Sequence, residues 1–161
     1  MDKQDGFVEH DVINNEYTEY ARRIEMDTMN DVKASDIQMY NPTILAYVGD
    51  SVYELFVRTL LVSKGNAQVS KLHKKAVLFV KAKAQAEMAD KLEEHLTEEE
   101  KDIIRRGRNA KTTSMPKNAE LADYKHATGF EALLGYLYLN NRIDRLLEIL
   151  HLITEINQEN L

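Results

Sequence analysis

The stretch NPTILAYVGDSVYELFVRTLLVSKG, residues 41–65, predicts one long α-helix around which the rest of the chain is organised. Asn41 is a favourable N-cap, Pro42 suits the first helical position, and Gly65 is typical of the residue that follows a helix. Apolar side chains lie on two faces at helical spacing, so we expect burial on two sides. Asp50 interrupts this apolar helix, and its carboxylate therefore needs a partner.

Composition favours a single all-α domain. A chain of 161 residues can bury a real core, and only two prolines and six glycines interrupt it. The absence of cysteine excludes a disulfide framework or a thiolate site, and it fits a reducing, cytoplasmic location. The start of the chain has no signal-peptide pattern. Charges at Asp50, Glu54 and Arg58 argue against a membrane span in the most apolar window.

The net charge of −6 arises in residues 1–36, which contain ten acids and four bases. Residues 37–161 carry seventeen charges of each sign, so the acidic balance does not exclude nucleic acid as a partner of this part. We predict an acidic, flexible N-terminal extension over residues 1–36 and one domain over residues 37–161. The extension is interpreted either as a solvated tail or as a partner-binding arm.

Four further segments have helical periodicity, and none has the pattern of a strand. Thr97 and Glu100 form a capping box that opens one of these helices. The segments are residues 67–95, with a break near residues 81–84, residues 97–106, residues 119–140 and residues 142–156.

Two basic segments could contact phosphates. The sequence RRGRNAKTTSMPKN, residues 105–118, is predicted to be a loop and contains no acid. A lysine-rich stripe over residues 71–83 is the second candidate. Either segment could instead be an ordinary exposed basic surface. The candidate RNA-binding residues are Arg105, Arg106, Arg108, Lys111, Lys117, Lys74 and Lys75.

Asp50 and Glu131 each lie in a predicted helix beside small residues, which would let another helix or a ligand approach closely. Two such carboxylates could hold Mg²⁺ between helices. They could equally be buried structural acids that pair with arginine, and their spacing of 81 residues does not decide between these interpretations.

Several motifs in order resemble the ribonuclease III family. LAYVGDSV, residues 45–52, is similar to the signature helix of its endonuclease domain, and FEALLGYLY, residues 130–138, is similar to the second signature helix. LHKK at residues 72–75, RGRNAK at residues 106–111 and PKN at residues 116–118 narrow the resemblance to Mini-ribonuclease III. That short bacterial branch has the catalytic domain and lacks a double-stranded-RNA-binding domain.

The resemblance implies an all-α helical bundle that forms a homodimer around a cleft for an RNA duplex. By that likeness Asp50 is the catalytic acid and a Mg²⁺ ligand, and Glu131 is the second catalytic, metal-binding acid. The implied activity is Mg²⁺-dependent cleavage of double-stranded RNA that leaves 5′-phosphate and 3′-hydroxyl ends. The implied substrate is the 23S ribosomal RNA precursor, with a large-subunit ribosomal protein as a further candidate partner.

The chain departs from the general family pattern at two positions. Ala46 and Thr128 stand where that pattern has two more acids, which leaves the number of metal ions open. Glu54 could assist the site or form an ion pair. The alternatives are a non-catalytic RNA-binding or ribosome-assembly protein with the same fold, and a plain helical interaction module. Asp50 favours the enzyme, and the basic loop argues against the third alternative.

Overall fold

The computed structural model describes residues 37–112 and 114–160, and within these ranges the chain is helical, with no strand. This confirms the all-α prediction. The predicted extension, residues 1–36, lies outside the described residues. The helices are α1 (Pro42–Ser63), α2 (Val69–Val80), α3 (Ala82–Leu92), a 3-10 turn (Glu93–His95), α4 (Glu98–Arg108), α5 (Leu121–Leu139), α6 (Ile143–Ile156) and a last 3-10 turn (Gln158–Asn160).

Helix α1 begins and ends where the sequence predicts. The Asn41 side chain accepts a hydrogen bond from the backbone N–H of Thr43 at 3.1 Å, and Pro42 occupies the first turn. Gly65 follows the helix with a φ of 140°, a conformation that L side chains rarely adopt. The two ends of α1 are therefore fixed by local chemistry.

Helix α5, rather than α1, is the most enclosed helix of the described chain. It packs against α1, α3, α4 and α6, and the residues from Phe130 to Leu137 are buried except for Glu131. Apolar side chains from both predicted faces of α1 are buried, Leu45 and Phe56 on one and Ala46 and Val57 on the other, although Ile44 near its start is 51% exposed. Where α1 faces α5, Tyr53 packs edge-on against Phe130 with ring centroids 4.9 Å apart.

Two glycines set how closely α1 and α5 approach each other. A Cβ atom on Gly49 would overlap the backbone oxygen of Glu131, and one on Gly135 would overlap the backbone oxygen of Leu45. Only glycine at both positions permits this backbone-to-backbone contact. The crossing places Asp50, the neighbour of Gly49, directly against Glu131.

The predicted break in the second helical segment lies at Lys81, between α2 and α3. Lys81 has an extended backbone, with φ −64° and ψ 147°. The carbonyl of Val80 at this break accepts a hydrogen bond from the Gln85 side chain at 2.9 Å. That bond links α3 to the last carbonyl of α2 across the break.

Helix α4 corrects the predicted loop. The capping box of Thr97 and Glu100 is present, but the helix continues through Gly107 to Arg108, so three of the predicted loop arginines are helical. Gly107 is helical because α4 crosses α5 here: a Cβ atom on Gly107 would lie 2.7 Å from Gly129 Cα. Close packing against α5 outweighs the low helix propensity of glycine.

Within residues 37–112 and 114–160, no helix combines the length and the apolarity that a membrane-spanning segment requires.

Candidate active site

Asp50 on α1 and Glu131 on α5 form an acid pair, two carboxyl groups within hydrogen-bonding reach of each other. Asp50 lies at the exposed rim and Glu131 is half-buried behind it. Within the described residues neither carboxyl has a lysine or arginine partner. The close α1–α5 crossing therefore brings together the two acids that the sequence singled out.

Burial, and after it the negative charge of a neighbouring acid, raises the pKa of both acids. Burial is the largest cause for Glu131, the charge of Asp50 adds to it, and together they raise the pKa of Glu131 to about 8. Loss of solvent also raises the pKa of Asp50, and the charge of Glu54 adds to that effect. With a pKa above neutrality, the Glu131 carboxyl group can keep its proton and donate it in a hydrogen bond to the Asp50 carboxylate. The acid pair is thus held together by a proton while no cation neutralises it.

Glu54, one turn after Asp50, forms an ion pair instead of joining the acid pair. Arg58 donates from Nε and Nη2 to the Glu54 carboxylate at 2.9 and 2.8 Å. Thr128, which stands in place of a family carboxylate, donates its hydroxyl to the Tyr124 backbone oxygen at 2.9 Å. Ala46 is buried. None of the three adds a free carboxylate to the acid pair.

Gln85 on α3 is a site residue that the sequence analysis missed. It is only 1% exposed, and its amide N–H donates to Glu131 as well as to Val80. Its Oε1 is buried and has no hydrogen-bond partner in the described part of the chain. The signal in the sequence is a polar residue on the same helical stripe as Ala89 and Leu92, which are both buried.

The acid pair suits Mg²⁺ better than a cation that needs a cage of protein ligands. No cluster of three or more histidine, aspartate or glutamate side chains that could hold a metal lies within residues 37–112 and 114–160. Mg²⁺ commonly takes one or two carboxylates and completes its shell with water and substrate phosphates. Two close oxygen donors with raised pKa values, beside an unpaired buried amide oxygen, fit that requirement.

The basic residues predicted to bind RNA are distributed over α4, the segment after it and α2. Arg105 and Arg108 line a cleft of about 220 Å³ together with Lys101 and His126, and this cleft does not include the acid pair. Lys111 and Lys117 are exposed in the segment after α4. Lys74 and Lys75 are exposed on α2.

Two of the arginines also have structural partners. The Arg106 guanidinium donates to the backbone oxygens of Gln38 and Tyr40 at 2.8 and 3.2 Å, which ties the start of the described chain to α4. Arg105 forms an ion pair with Asp102 on its own helix. Arg108 is therefore the cleanest probe of the basic surface among the three.

Neither His73 nor His126 is part of the acid pair. His73 is exposed on α2. The Nδ1 of His126 lies 3.7 Å from a carboxylate oxygen of Asp90 on α3. The chemistry of the site therefore depends on carboxylates.

The family model for the ribonuclease III domain matches residues 43–142, which run from the second residue of α1 to beyond the end of α5 and include both members of the acid pair. The match covers more than half of the chain. The chain therefore belongs to the ribonuclease III family.

Curated relatives narrow the assignment. Mini-ribonuclease 3 of Thermoanaerobacter sp. (strain X514) is 51% identical over 119 residues, which are 74% of this chain and 84% of that protein. Mini-ribonuclease 3 of Staphylococcus aureus (strain NCTC 8325 / PS 47) is 39% identical over 133 residues, or 81% of this chain and 99% of that protein. Within the family, the chain groups with the Mini-ribonuclease III branch and is an endoribonuclease.

A solved structure agrees with the fold. The crystal structure of protein FN1578 from Fusobacterium nucleatum matches 74% of this chain and 96% of its own length, with a TM-score of 0.66 and 31% sequence identity. The helical arrangement described above is thus also found in an experimental structure.

Proposed function

We propose that this endoribonuclease cleaves double-stranded RNA with Mg²⁺ held by Asp50 and Glu131. The observation that supports this most is the acid pair itself: two carboxylates from separate helices meet without a basic side chain from the described residues. Holding two such groups together is costly unless a proton or a cation neutralises them. The RNA products would carry 5′-phosphate and 3′-hydroxyl ends.

The two carboxylates have distinct tasks in the proposed reaction. A bound Mg²⁺ supplies Lewis acidity toward the phosphodiester and lowers the pKa of water. Asp50 is exposed and would hold the cation from the side that faces the RNA backbone, whereas Glu131 is half-buried and would hold it from the protein side. Glu131 must release its proton when the cation binds, so cation binding and proton release are coupled.

The test compares a long RNA duplex with single-stranded RNA of the same sequence, each with Mg²⁺ and with chelator. We expect duplex cleavage with Mg²⁺ alone. The Asp50→Asn variant is the matched control. Cleavage in chelator, or equal cleavage of the single strand, would contradict the proposal.

We propose that the basic residues outside the acid pair hold the duplex by its phosphates. Duplex RNA is recognised mostly by shape, through phosphates and 2′-hydroxyls. Arg108, Lys111 and Lys117 are exposed and follow one another at the end of α4 and after it, and Lys74 and Lys75 provide a second basic surface on α2. Arg108→Ala should weaken binding to every duplex sequence and reduce the salt slope by about 1. Lys64→Ala, which removes an exposed lysine after α1, should leave the slope unchanged.

We propose that two copies of the chain associate through the exposed face of α1. This face presents Ile44, Tyr47 and Val62 to solvent at 51%, 80% and 59% exposure, and it adjoins Asp50. A second copy would cover these apolar side chains and bring two acid pairs to one RNA duplex. Tyr47→Glu should give a folded monomer in analytical ultracentrifugation. Val69→Glu, at an equally exposed apolar residue on α2, should remain dimeric.

We further propose the 23S ribosomal RNA precursor as the natural substrate. The support is the resemblance to the Mini-ribonuclease III branch together with the preference for paired RNA proposed above. Transcripts that contain the paired 5′ and 3′ flanks of the precursor should be cut at discrete positions, which primer extension would map. Random cutting along the stem would argue against this substrate.

A further inference from the structure

Gln85 combines near-complete burial with polar contacts on two sides. Its side chain is 1% exposed on the face of α3 that also buries Ala89 and Leu92. A buried primary amide is costly unless its donors and acceptor are paired. An apolar residue would fill this position at lower cost, so the amide needs a reason.

The orientation of the amide follows from its contact with Val80. The carbonyl of Val80 is the last of α2, and the break at Lys81 leaves it without the usual helical donor. It accepts a hydrogen bond from Gln85 Nε2 at 2.9 Å, which fixes which end of the amide carries the N–H groups. The Gln85 amide also acts as a hydrogen-bond donor toward the Glu131 carboxylate, which lowers the pKa of that acid. Gln85 thus links the α2–α3 break to the acid pair.

We propose that Gln85 is a positioning residue that holds the Glu131 carboxylate in the orientation needed to bind a divalent cation. This inference rests on the proposed cation site at Asp50 and Glu131. Mg²⁺ demands near-ideal octahedral geometry, so a carboxylate that can rotate freely binds it less well. Groups that orient metal ligands through hydrogen bonds typically contribute 10- to 100-fold to metal affinity.

The other end of the amide adds a second observation. Gln85 Oε1 is buried and accepts no hydrogen bond from the described residues. It is an acceptor on the side chain that contacts Glu131, so a donor that arrives with the ligand can satisfy it. Most buried side-chain polar atoms are paired, so this unpaired oxygen calls for an explanation.

The test measures cation binding by the RNA-free protein with Mn²⁺ as the probe, by electron paramagnetic resonance or calorimetry. Gln85→Met keeps the length of the side chain and removes both donors. We expect Mn²⁺ affinity to fall roughly 10- to 100-fold and kcat to fall with it, while KM for the duplex stays within about twofold. Gln85→Asn, which keeps the amide but is one methylene shorter, should fold and also bind Mn²⁺ more weakly.

Met88→Ala is the matched control, because Met88 is buried on the same helix at 4% exposure. It should lower the melting temperature without changing Mn²⁺ affinity. Equal Mn²⁺ affinity in the folded wild type and the Gln85 variants would overturn the positioning role, as would an equal loss in Met88→Ala.

The wild-type protein and Asp50→Asn distinguish a wrong role for Gln85 from a wrong cation site. If the wild type binds Mn²⁺, Asp50→Asn does not, and Gln85→Met matches the wild type, only the role of Gln85 is wrong. If the wild type itself binds no Mn²⁺, the proposed cation site is wrong and the role of Gln85 with it.

Discussion

Glu100 and Glu131 are two glutamates in the helices of one small protein, and their pKa values shift in opposite directions. Glu100 is 0% exposed, yet Arg145 donates to both of its carboxylate oxygens, at 2.8 and 2.9 Å. Burial opposes ionisation of Glu100, but the hydrogen bonds from Arg145 and from the Thr97 backbone outweigh it and lower the pKa. Glu131 is less buried, has Asp50 as its charged neighbour, and has a pKa of about 8.

Burial disfavours the charged form of both acids, and the charge of the partners decides whether that effect is overcome. Around Glu100 the protein supplies its own neutralising charges, and neighbouring Glu99 likewise pairs with Arg142 at 3.1 Å. Around Glu131 the described chain supplies another acid and one neutral amide. The first arrangement holds α4 and α6 together. The second is suited to a charge that comes from outside the chain.

Asp50→Asn should have the largest effect. It keeps the size of the side chain and removes the negative charge, so we expect cleavage of duplex RNA to fall at least about a thousandfold, or ~4 kcal/mol of lost transition-state stabilisation. The far-ultraviolet circular dichroism and melting temperature should stay near those of the wild type. Near-normal turnover by the folded variant would show that the acid pair does not carry the reaction.

Removing a glutamate should have opposite consequences in the two regions. Glu100→Ala leaves Arg145 partly buried without its main partner, and urea unfolding should show a loss of about 3–5 kcal/mol. Glu131→Gln replaces a carboxyl that is protonated at neutral pH with a neutral amide, so without cation stability should be about equal at neutral pH and higher than the wild type above pH 8. A similar loss in both variants would mean that the acid pair is structural after all.

The pH dependence of stability isolates Glu131. Its folded pKa of about 8 lies above the ordinary value of 4.5, so between these values the folded protein keeps a proton that the unfolded chain has lost. Stability in chelator should therefore fall by about 2–4 kcal/mol as pH rises from 5 to 9. The smaller upward shift at Asp50 acts in the same direction.

Urea titrations across this pH range would measure the fall, and two controls test its origin. Glu131→Gln should flatten the profile. Saturating Mg²⁺ should reverse it, because the cation competes with the proton. Identical profiles for the wild type and Glu131→Gln would show that ionisation of Glu131 does not cause the loss of stability, and that Glu131 does not differ from Glu100 in this way.

Arg58→Ala should have the smallest effect. It leaves Glu54 without the partner that now pairs with it at 2.8 Å and increases the negative potential at Asp50. Because this ion pair is partly exposed, we expect Mn²⁺ to bind only about two- to fivefold more tightly, as calorimetry would show. Weaker binding would indicate that Arg58 supports the acid pair directly.

Local signals in the sequence were sufficient where local chemistry sets the structure. Asn41 and Pro42 fix the start of α1, Thr97 and Glu100 cap α4, and the break near residue 81 lies at Lys81. The two acids of the candidate site were also identified, although their proximity depends on how two distant helices cross. Their proposed roles rested on resemblance and remain a prediction.

Predictions from the sequence were wrong or incomplete where contacts between helices decide the local structure or the partners of a side chain. Gly107 predicted a loop, yet it is helical because α4 needs a residue without a Cβ atom where it meets Gly129. Gln85 gave little local signal, because its partners Val80 and Glu131 come together only through the break at Lys81 and the packing of α3 on α5. Arg106 was expected to face RNA, and its backbone contacts could not be foreseen from its neighbours in sequence.

The contact between α1 and α5 at Gly49 and Gly135 has a mechanical consequence. Where backbones touch directly, there is no layer of side chains that can yield, so the two helices have little freedom to slide or to separate. The distance between the Asp50 and Glu131 carboxylates should therefore vary little, because thermal motion displaces both helices together. Amide hydrogens on both helices around this crossing should be among the slowest in the protein to exchange with solvent.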